Sequence, residues 1–159
     1  LRPRRGRGQI LPLLRFLEDV EAGGRTALNA SLSTYALRST VPGVAVVLTD
    51  LLDPGGYADG LKALQQRRFD VFVLHLVSED ELEPGLAGDL TLLDAEGGES
   101  RQVSVDRRAI ERYQERLRQH FAEAEAFCAR HHMDYLRTST AVPFQDLILR
   151  HLRQGGFLR

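Results

Sequence analysis

Apolar residues follow two spacings along the chain, and their alternation predicts helices separated by short strands. Helical spacing and continuous β-branched runs define the elements, and glycine or proline separates several of them. In chain order we predict helices over Gln9–Glu21 and Ala27–Arg38, a strand over Val44–Thr49, a helix over Tyr57–Arg67, a strand over Phe69–Val77, a hairpin of Asp89–Asp94 with Arg101–Val105, a helix from the N-cap Asp106 to His131, a strand over Asp134–Ser139 and a last helix that begins at Pro143.

This order predicts an α/β fold of the three-layer, Rossmann-like kind. Strands that alternate with helices form a mostly parallel sheet with helices on both faces, and the hairpin is added to it. We treat residues 1–159 as a single domain.

The start of the chain does not fit a complete sheet of this kind. Two predicted helices precede the first strand, and that strand, Val44–Thr49, is apolar on both faces. Such a strand is typical of the centre of a parallel sheet, so both of its edges should be covered. We expect that N-terminal strands of the domain lie upstream of Leu1; alternatively, a homodimer forms through the Val44–Thr49 edge.

Composition narrows the classes of function. Hydrophobic residues make up 43% and charged residues 27% of the chain, which is ordinary for a globular protein. The net charge of −1 gives no whole-domain attraction to nucleic acid, and no apolar run is long enough to span a membrane. The single cysteine, Cys128, excludes an internal disulfide. We expect a cytoplasmic chain, whose parent protein could still carry a membrane anchor.

Two oxygen-bearing side chains are placed to form a cation site. Asp50 follows a predicted strand, and Thr26 precedes a predicted helix. Loops at the carboxyl ends of parallel strands meet at one edge of the sheet, and a hydroxyl with a carboxylate suits Mg²⁺ or Mn²⁺. Simpler roles stay open: Thr26 as a helix N-cap, Asp50 as a loop cap, and Asp53 as a turn residue before Pro54.

Several segments resemble known families. Gly23–Thr26 and Val46–Asp50 are similar to the second and third parts of the metal-ion-dependent adhesion site of von Willebrand factor A domains. The opening Pro3–Gly8, Leu48–Asp53 and the stretch from Gly88 to Arg150 more narrowly resemble the C-terminal part of the bacterial domain-of-unknown-function-58 family.

The resemblance implies a von Willebrand A-like fold and roles for two residues. Thr26 and Asp50 match the positions that bind the metal, whereas Leu51 stands where many A domains have glycine. The first part of the pattern, Asp-x-Ser-x-Ser, has no match in this chain. Mg or Mn is therefore expected in the full-length protein, and this chain alone should bind no cation or bind it weakly.

The resemblance also implies a function, a non-enzymatic protein-interaction module whose partner is a protein such as a MoxR-type AAA+ ATPase. The alternative is a Mg-dependent hydrolase or phosphatase that uses Asp50. Against it, no nucleophile with an oriented base is apparent in the sequence.

The remaining candidates have structural explanations. We predict that His131 and His132 end a helix, with His120 about three turns earlier, and that His75 and Cys128 lie in the core. The acidic stretch Glu79–Glu83 is predicted to be a solvated loop, and a partner-binding surface is the alternative.

Overall fold

The structure is a computed structural model that describes residues 6–21, 23–94 and 98–147. It has a mixed α/β architecture. The helices are α1 (Ile10–Glu18, after a 3-10 turn over Arg7–Gln9), α2 (Leu28–Arg38), α3 (Ala58–Gln66), α4 (Glu79–Leu82), α5 (Arg107–Arg130) and α6 (Phe144–Asp146). The strands are β1 (Val44–Thr49), β2 (Asp70–Val77), β3 (Gly88–Leu93), β4 (Ser100–Val105) and β5 (Asp134–Ser139).

A parallel sheet carries the fold. Its strand order is β1-β2-β5, and β3 and β4 form a separate antiparallel ribbon. Thr49 lies beside His75 in the register, and His75 lies beside Arg137. The three carboxyl ends therefore meet at one edge of the sheet, as predicted for parallel strands.

The larger part of the core covers one face of this sheet. Val47 and Val73 point to that face, where they pack in one cluster with Leu61 of α3 and with Ala124 and Cys128 of α5. Burial raises the pKa of the Cys128 thiol to about 11, so this cysteine is a core residue, as predicted, and not a reactive thiol.

The opposite face of the sheet has a smaller cluster. Phe72 and Leu74 of β2 are buried there with Leu147, which follows α6. On the same face, Val46 and Leu48 of β1 remain 48% and 63% exposed. Helices α3 and α5 therefore pack on the first face. On the second face Leu147 packs on β2, and within the described residues the β1 side of this face is open.

β1 is an edge strand in this structure. It pairs with β2 alone among the described strands, whereas β2 lies between two neighbours. The apolar pattern of β1 predicts a central strand, but within the described residues β1 has a strand partner on one edge alone.

Helix α1 forms where the apolar spacing predicts it, but none of its side chains is buried in the described structure. Ile10, Leu13, Leu14 and Leu17 all remain more than two fifths exposed. The apolar spacing predicts that these residues form a helix, but it does not predict which other element packs against the helix.

The prediction of a loop over Glu79–Glu83 is wrong, because residues Glu79–Leu82 form α4. Ser78 accepts a hydrogen bond from the Glu81 N–H, and the Glu81 side chain accepts one from the Ser78 N–H. This reciprocal capping box satisfies two backbone donors and stabilises the short helix.

Two of the segments named above lie in part outside the described residues, namely the opening Pro3–Gly8 before Gly6 and the last predicted helix beyond Leu147. No helix in the described ranges combines the length and apolar character that crossing a bilayer requires.

Candidate functional site

The turn after β1 presents Asp50 at the carboxyl edge of the sheet. Asp50 Oδ1 accepts a hydrogen bond from the Leu52 N–H (3.0 Å), and Thr49 Oγ1 accepts one from the Leu51 N–H (2.9 Å). Both side chains thus hold the backbone that follows them, as expected for Asx and Ser/Thr turns.

Leu51 adopts a left-handed backbone conformation with φ of 59°. This is the conformation that glycine adopts at least cost, which explains why glycine would fit at this position. The Leu51 side chain is only 2% exposed and packs in the main core cluster. Its burial offsets the backbone strain and anchors the turn that carries Asp50.

Asp53 joins this turn to the beginning of α2. Its Oδ2 accepts a hydrogen bond from the Leu28 N–H (2.5 Å), and its Oδ1 accepts one from the Gly55 N–H (2.8 Å). The predicted role in a turn is confirmed. Sequence spacing did not indicate the second role, in which a distant carboxylate satisfies a free N–H group of the α2 N-terminus.

Asn29, in the first turn of α2, ties the same region to α3. Its Nδ2 donates to the Gly55 carbonyl (2.5 Å), and its Oδ1 accepts from the Gly60 N–H (2.8 Å). Two polar side chains, those of Asp53 and Asn29, therefore hold the loop between β1 and α3 against α2, and Asp50 fixes the turn within that loop.

The prediction that Thr26 caps α2 is wrong, because the N-cap position is Ala27 and no side chain of that residue caps the helix. Instead, Thr26 lines a cleft of about 740 Å³ that we call the Asp50 cleft. The other lining residues are Arg25, Ala27, Asn29, Ala30, Asp50, Leu52, Asp53, Pro54, Gly55 and Asp94. The structure therefore brings Thr26 and Asp50, from separate segments, to the walls of the same cleft.

The donor set of the Asp50 cleft is suited to a hard cation but is small. Hydroxyl and carboxylate oxygens are the ligand types that Mg²⁺ and Mn²⁺ accept. Both oxygens of Asp53 already accept backbone hydrogen bonds. Within the described ranges, no three His, Cys, Asp or Glu side chains are grouped closely enough to hold a metal ion.

His75 lies under the turn that carries Asp50. Its side chain is 1% exposed, as predicted for a core histidine. Nδ1 lies 2.8 Å from Tyr135 Oη, and the imidazole also hydrogen-bonds to the backbone carbonyl of Asp50. Burial, with a smaller contribution from neighbouring His120, lowers the pKa of His75 to about 4. The ring is therefore neutral near pH 7 and holds the turn in place by hydrogen bonding.

The other histidines separate into two environments. His131 is the C-cap of α5 and His132 follows it, which confirms that they lie at the end of this helix. His120 instead faces His75, with 5.8 Å between the ring centroids. The sequence offered one weak signal for this environment, since His120 follows Tyr113 and Leu117 at helical spacing.

Replacing Asp53 with alanine should destabilise the protein by about 2 kcal/mol, because two backbone N–H groups lose their acceptor and α2 loses a carboxylate at its N-terminus. Urea denaturation of both proteins measures the difference. Asp59→Ala is the control. Asp59 forms an exposed ion pair with Lys62 and lies in the first turn of α3, so its loss should matter by less than about 1 kcal/mol. Equal effects of the two substitutions would contradict the role of Asp53.

Comparison with known proteins places these observations in a family. The family model described as "Protein of unknown function DUF58" matches residues 1–123. Among curated proteins, the chain is similar to uncharacterized proteins of Mycobacterium bovis and of two strains of Mycobacterium tuberculosis, with 28% identity over 129 residues in each case. Each alignment covers 81% of this chain but only 37% of the relative, so the chain spans little more than a third of the relatives' length. No solved structure matches the chain.

Proposed function

The chain belongs to the DUF58 family, and we propose that it is a non-enzymatic protein-interaction module of the von Willebrand factor A type. One observation carries this proposal: Thr26 and Asp50, which resemble metal-binding positions of that domain type, line the same cleft. A parallel sheet with this cleft at its carboxyl edge supports the proposal, because ligands of such folds bind at that edge.

In the proposed module, the Thr26 hydroxyl and the Asp50 carboxylate contribute to a Mg²⁺ or Mn²⁺ site. When bound, the cation would supply positive charge that attracts a carboxylate of a partner protein. Asp53 and Asn29 would act indirectly, by holding the loop that carries Asp50 against α2. Two oxygen side chains do not complete the octahedral shell of Mg²⁺, so we expect this chain alone to bind the cation weakly or not at all.

Manganese relaxation of amide NMR signals tests this site even when binding is weak. We expect Mn²⁺ at millimolar concentration to broaden the amide signals of Thr26, Asp50 and Leu52 before those of the acidic helix α4. Asp50→Asn should reduce the broadening at Thr26 at least several-fold, because it removes the charged ligand. Asp59→Asn, an exposed carboxylate on α3, should change nothing.

Two results would contradict the proposed site. One is broadening at α4 as strong as that at Thr26, which would indicate nonspecific attraction to acidic side chains. The other is an unchanged response in Asp50→Asn. Calorimetry that detects sub-micromolar Mg²⁺ binding would instead show that this chain alone holds a complete cation site, contrary to the proposal.

A MoxR-type AAA+ ATPase is the partner that we propose. The support is the family resemblance, and copurification with such an ATPase from the same genome tests it. Binding in Mg²⁺ that is lost in EDTA and in Asp50→Asn would link the partner to the cleft. The alternative, a Mg-dependent hydrolase, requires turnover of a phosphoester substrate that Asp50→Ala abolishes.

The open edge of β1 supports a second proposal about association. Its backbone groups lack a strand partner among the described residues, and exposed Val46 and Leu48 lie beside it. Pairing with a strand of another polypeptide, such as the same strand of a second copy, would satisfy these groups.

A further inference from the structure

A second cavity lies next to the Asp50 cleft, between β2, α4 and the first half of α5. It has a volume of about 350 Å³, within the usual range for small-ligand sites. We call it the His120 cavity. Its lining residues are Asp50, Leu52, His75, Leu76, Val77, Glu81, Tyr113, Arg116, Leu117, His120 and Phe121. Tyr113 Oη donates to the Glu81 carbonyl (2.9 Å), which joins α4 to α5 at this cavity.

One polar atom of this cavity lacks a partner among the described residues. His120 Nε2 is buried and makes no hydrogen bond to any residue that the structure describes. The neighbouring His75 differs, because its ring bonds to Tyr135 Oη and to the Asp50 carbonyl. A buried polar group without a partner is costly, and His120 Nε2 has almost no accessible surface in this structure. A ligand in the cavity would therefore gain a hydrogen bond to Nε2 only by turning the imidazole toward it.

The remaining walls favour an aromatic ligand. His75, Tyr113, His120 and Phe121 place rings in the lining, and His75 meets both His120 and Phe121 edge to face. Rings prefer such tilted contacts with other rings, and the aliphatic side chains of Leu76 and Leu117 complete an apolar surface.

The charges of the lining disfavour an anionic ligand. Asp50 and Glu81 contribute two carboxylates against the single guanidinium of Arg116. The Glu81 carboxylate accepts the Ser78 N–H, and Asp50 Oδ1 accepts the Leu52 N–H, so both are held in place by the backbone. A ligand that buries an apolar ring here should therefore be neutral and should carry one group able to bond to His120.

We propose that the His120 cavity binds a neutral aromatic ring that bears a hydroxyl group. The ring lies against Phe121 and Leu117, and the imidazole of His120 turns toward the cavity so that Nε2 hydrogen-bonds to the hydroxyl. This chemistry occurs in free phenols and in the tyrosine side chain of a partner. The inference requires neither Thr26 nor a bound metal ion, although Asp50 and Leu52 line both the His120 cavity and the Asp50 cleft.

Titration of the isotope-labelled chain with p-cresol, followed by NMR, tests the proposal. We expect saturable shifts at Leu117, His120 and Phe121, and at least about fivefold weaker binding of toluene, which lacks the hydroxyl. N-acetyltyrosinamide distinguishes the sources. If it binds as well as p-cresol, a partner's tyrosine fits the cavity; if only p-cresol binds, the ligand is a free phenol.

Two variants connect the binding to the cavity. His120→Phe removes the imidazole, so p-cresol and toluene should bind with equal affinity. Leu117→Trp should fill the cavity and abolish the binding of both p-cresol and toluene. Thermal melts establish that each variant is folded, and Asp59→Asn serves as the unaffected control. Absence of saturable p-cresol binding to the unmodified chain, or equal affinity for p-cresol and toluene, would overturn the proposal.

Discussion

Substitution of Gly60 by alanine is expected to destabilise the protein by about 2 kcal/mol, although alanine is the better helix former. Helices α2 and α3 cross at this glycine. A Cβ atom there would lie 2.9 Å from the Cβ of Leu32 and 3.0 Å from the Cα of Asn29. Backbone and Cβ atoms cannot rotate away, so the helices must separate, and the loss of packing exceeds the gain in helix propensity of about 1 kcal/mol.

Thermal melting measures this effect, and a decrease of about 4–8 °C is expected for a chain of this size. Gly85→Ala is the control, because a Cβ atom at Gly85 would have no neighbour within 4 Å. The substitution should also disturb the candidate site, since the Gly60 N–H donates to Asn29 Oδ1 and Asn29 holds the Gly55 carbonyl. A melting temperature of Gly60→Ala equal to that of Gly85→Ala would show that the crossing tolerates a methyl group.

Acidification should destabilise the protein through His75. Its pKa is about 4 in the folded state, against the ordinary histidine value of 6.5 in the unfolded chain, so the unfolded chain binds a proton more readily. The contribution of His75 to stability is complete above pH 6.5 and is lost as the pH falls toward about 4. The difference between the two pKa values corresponds to a decrease in the free energy of unfolding on the order of 3 kcal/mol.

Urea denaturation between pH 7.5 and 4.5 follows this loss. Carboxylates also titrate at low pH, so the comparison with a variant is decisive. His75→Phe should be less stable at neutral pH, because Tyr135 Oη and the Asp50 carbonyl lose their partner. The free energy of unfolding of this variant should also decrease less as the pH falls, because the titrating imidazole is absent. His132→Asn, at an exposed position with φ of 53°, should keep the slope of the unmodified chain. Parallel curves for His75→Phe and the unmodified chain would contradict the assignment.

Local signals in the sequence were sufficient for much of the secondary structure. The strands Val44–Thr49 and Asp134–Ser139 have the predicted bounds, and Asp106 caps α5 by accepting a hydrogen bond from the Ala109 N–H. These features depend on neighbouring residues, namely apolar runs, β-branching and a capping side chain. The short helix α4 was missed because its acidic residues indicate exposure, whereas its capping box determines the conformation.

The candidate site could be predicted only in outline. The chain order indicated that Asp50 follows a strand and that Thr26 precedes a helix, and a general rule about parallel sheets then predicted that they meet. The long-range bonds from Asp53 to Leu28 and from Asn29 to Gly60 were not foreseeable, because a side chain's distant partner depends on how helices pack.

By itself, the sequence determined the order of helices and strands, the parallel sheet and the residue types available for binding, because these follow from local spacing and composition. Tertiary structure decided that β1 lies at an edge of the described sheet and that no side chain of α1 is buried in the described structure. It also decided that His120 lines a cavity and that its Nε2 has no hydrogen-bond partner among the described residues. Those properties depend on which surfaces pack against each other in the folded chain. Periodicity in the sequence shows that one face of an element is apolar, but it does not show which other element covers that face.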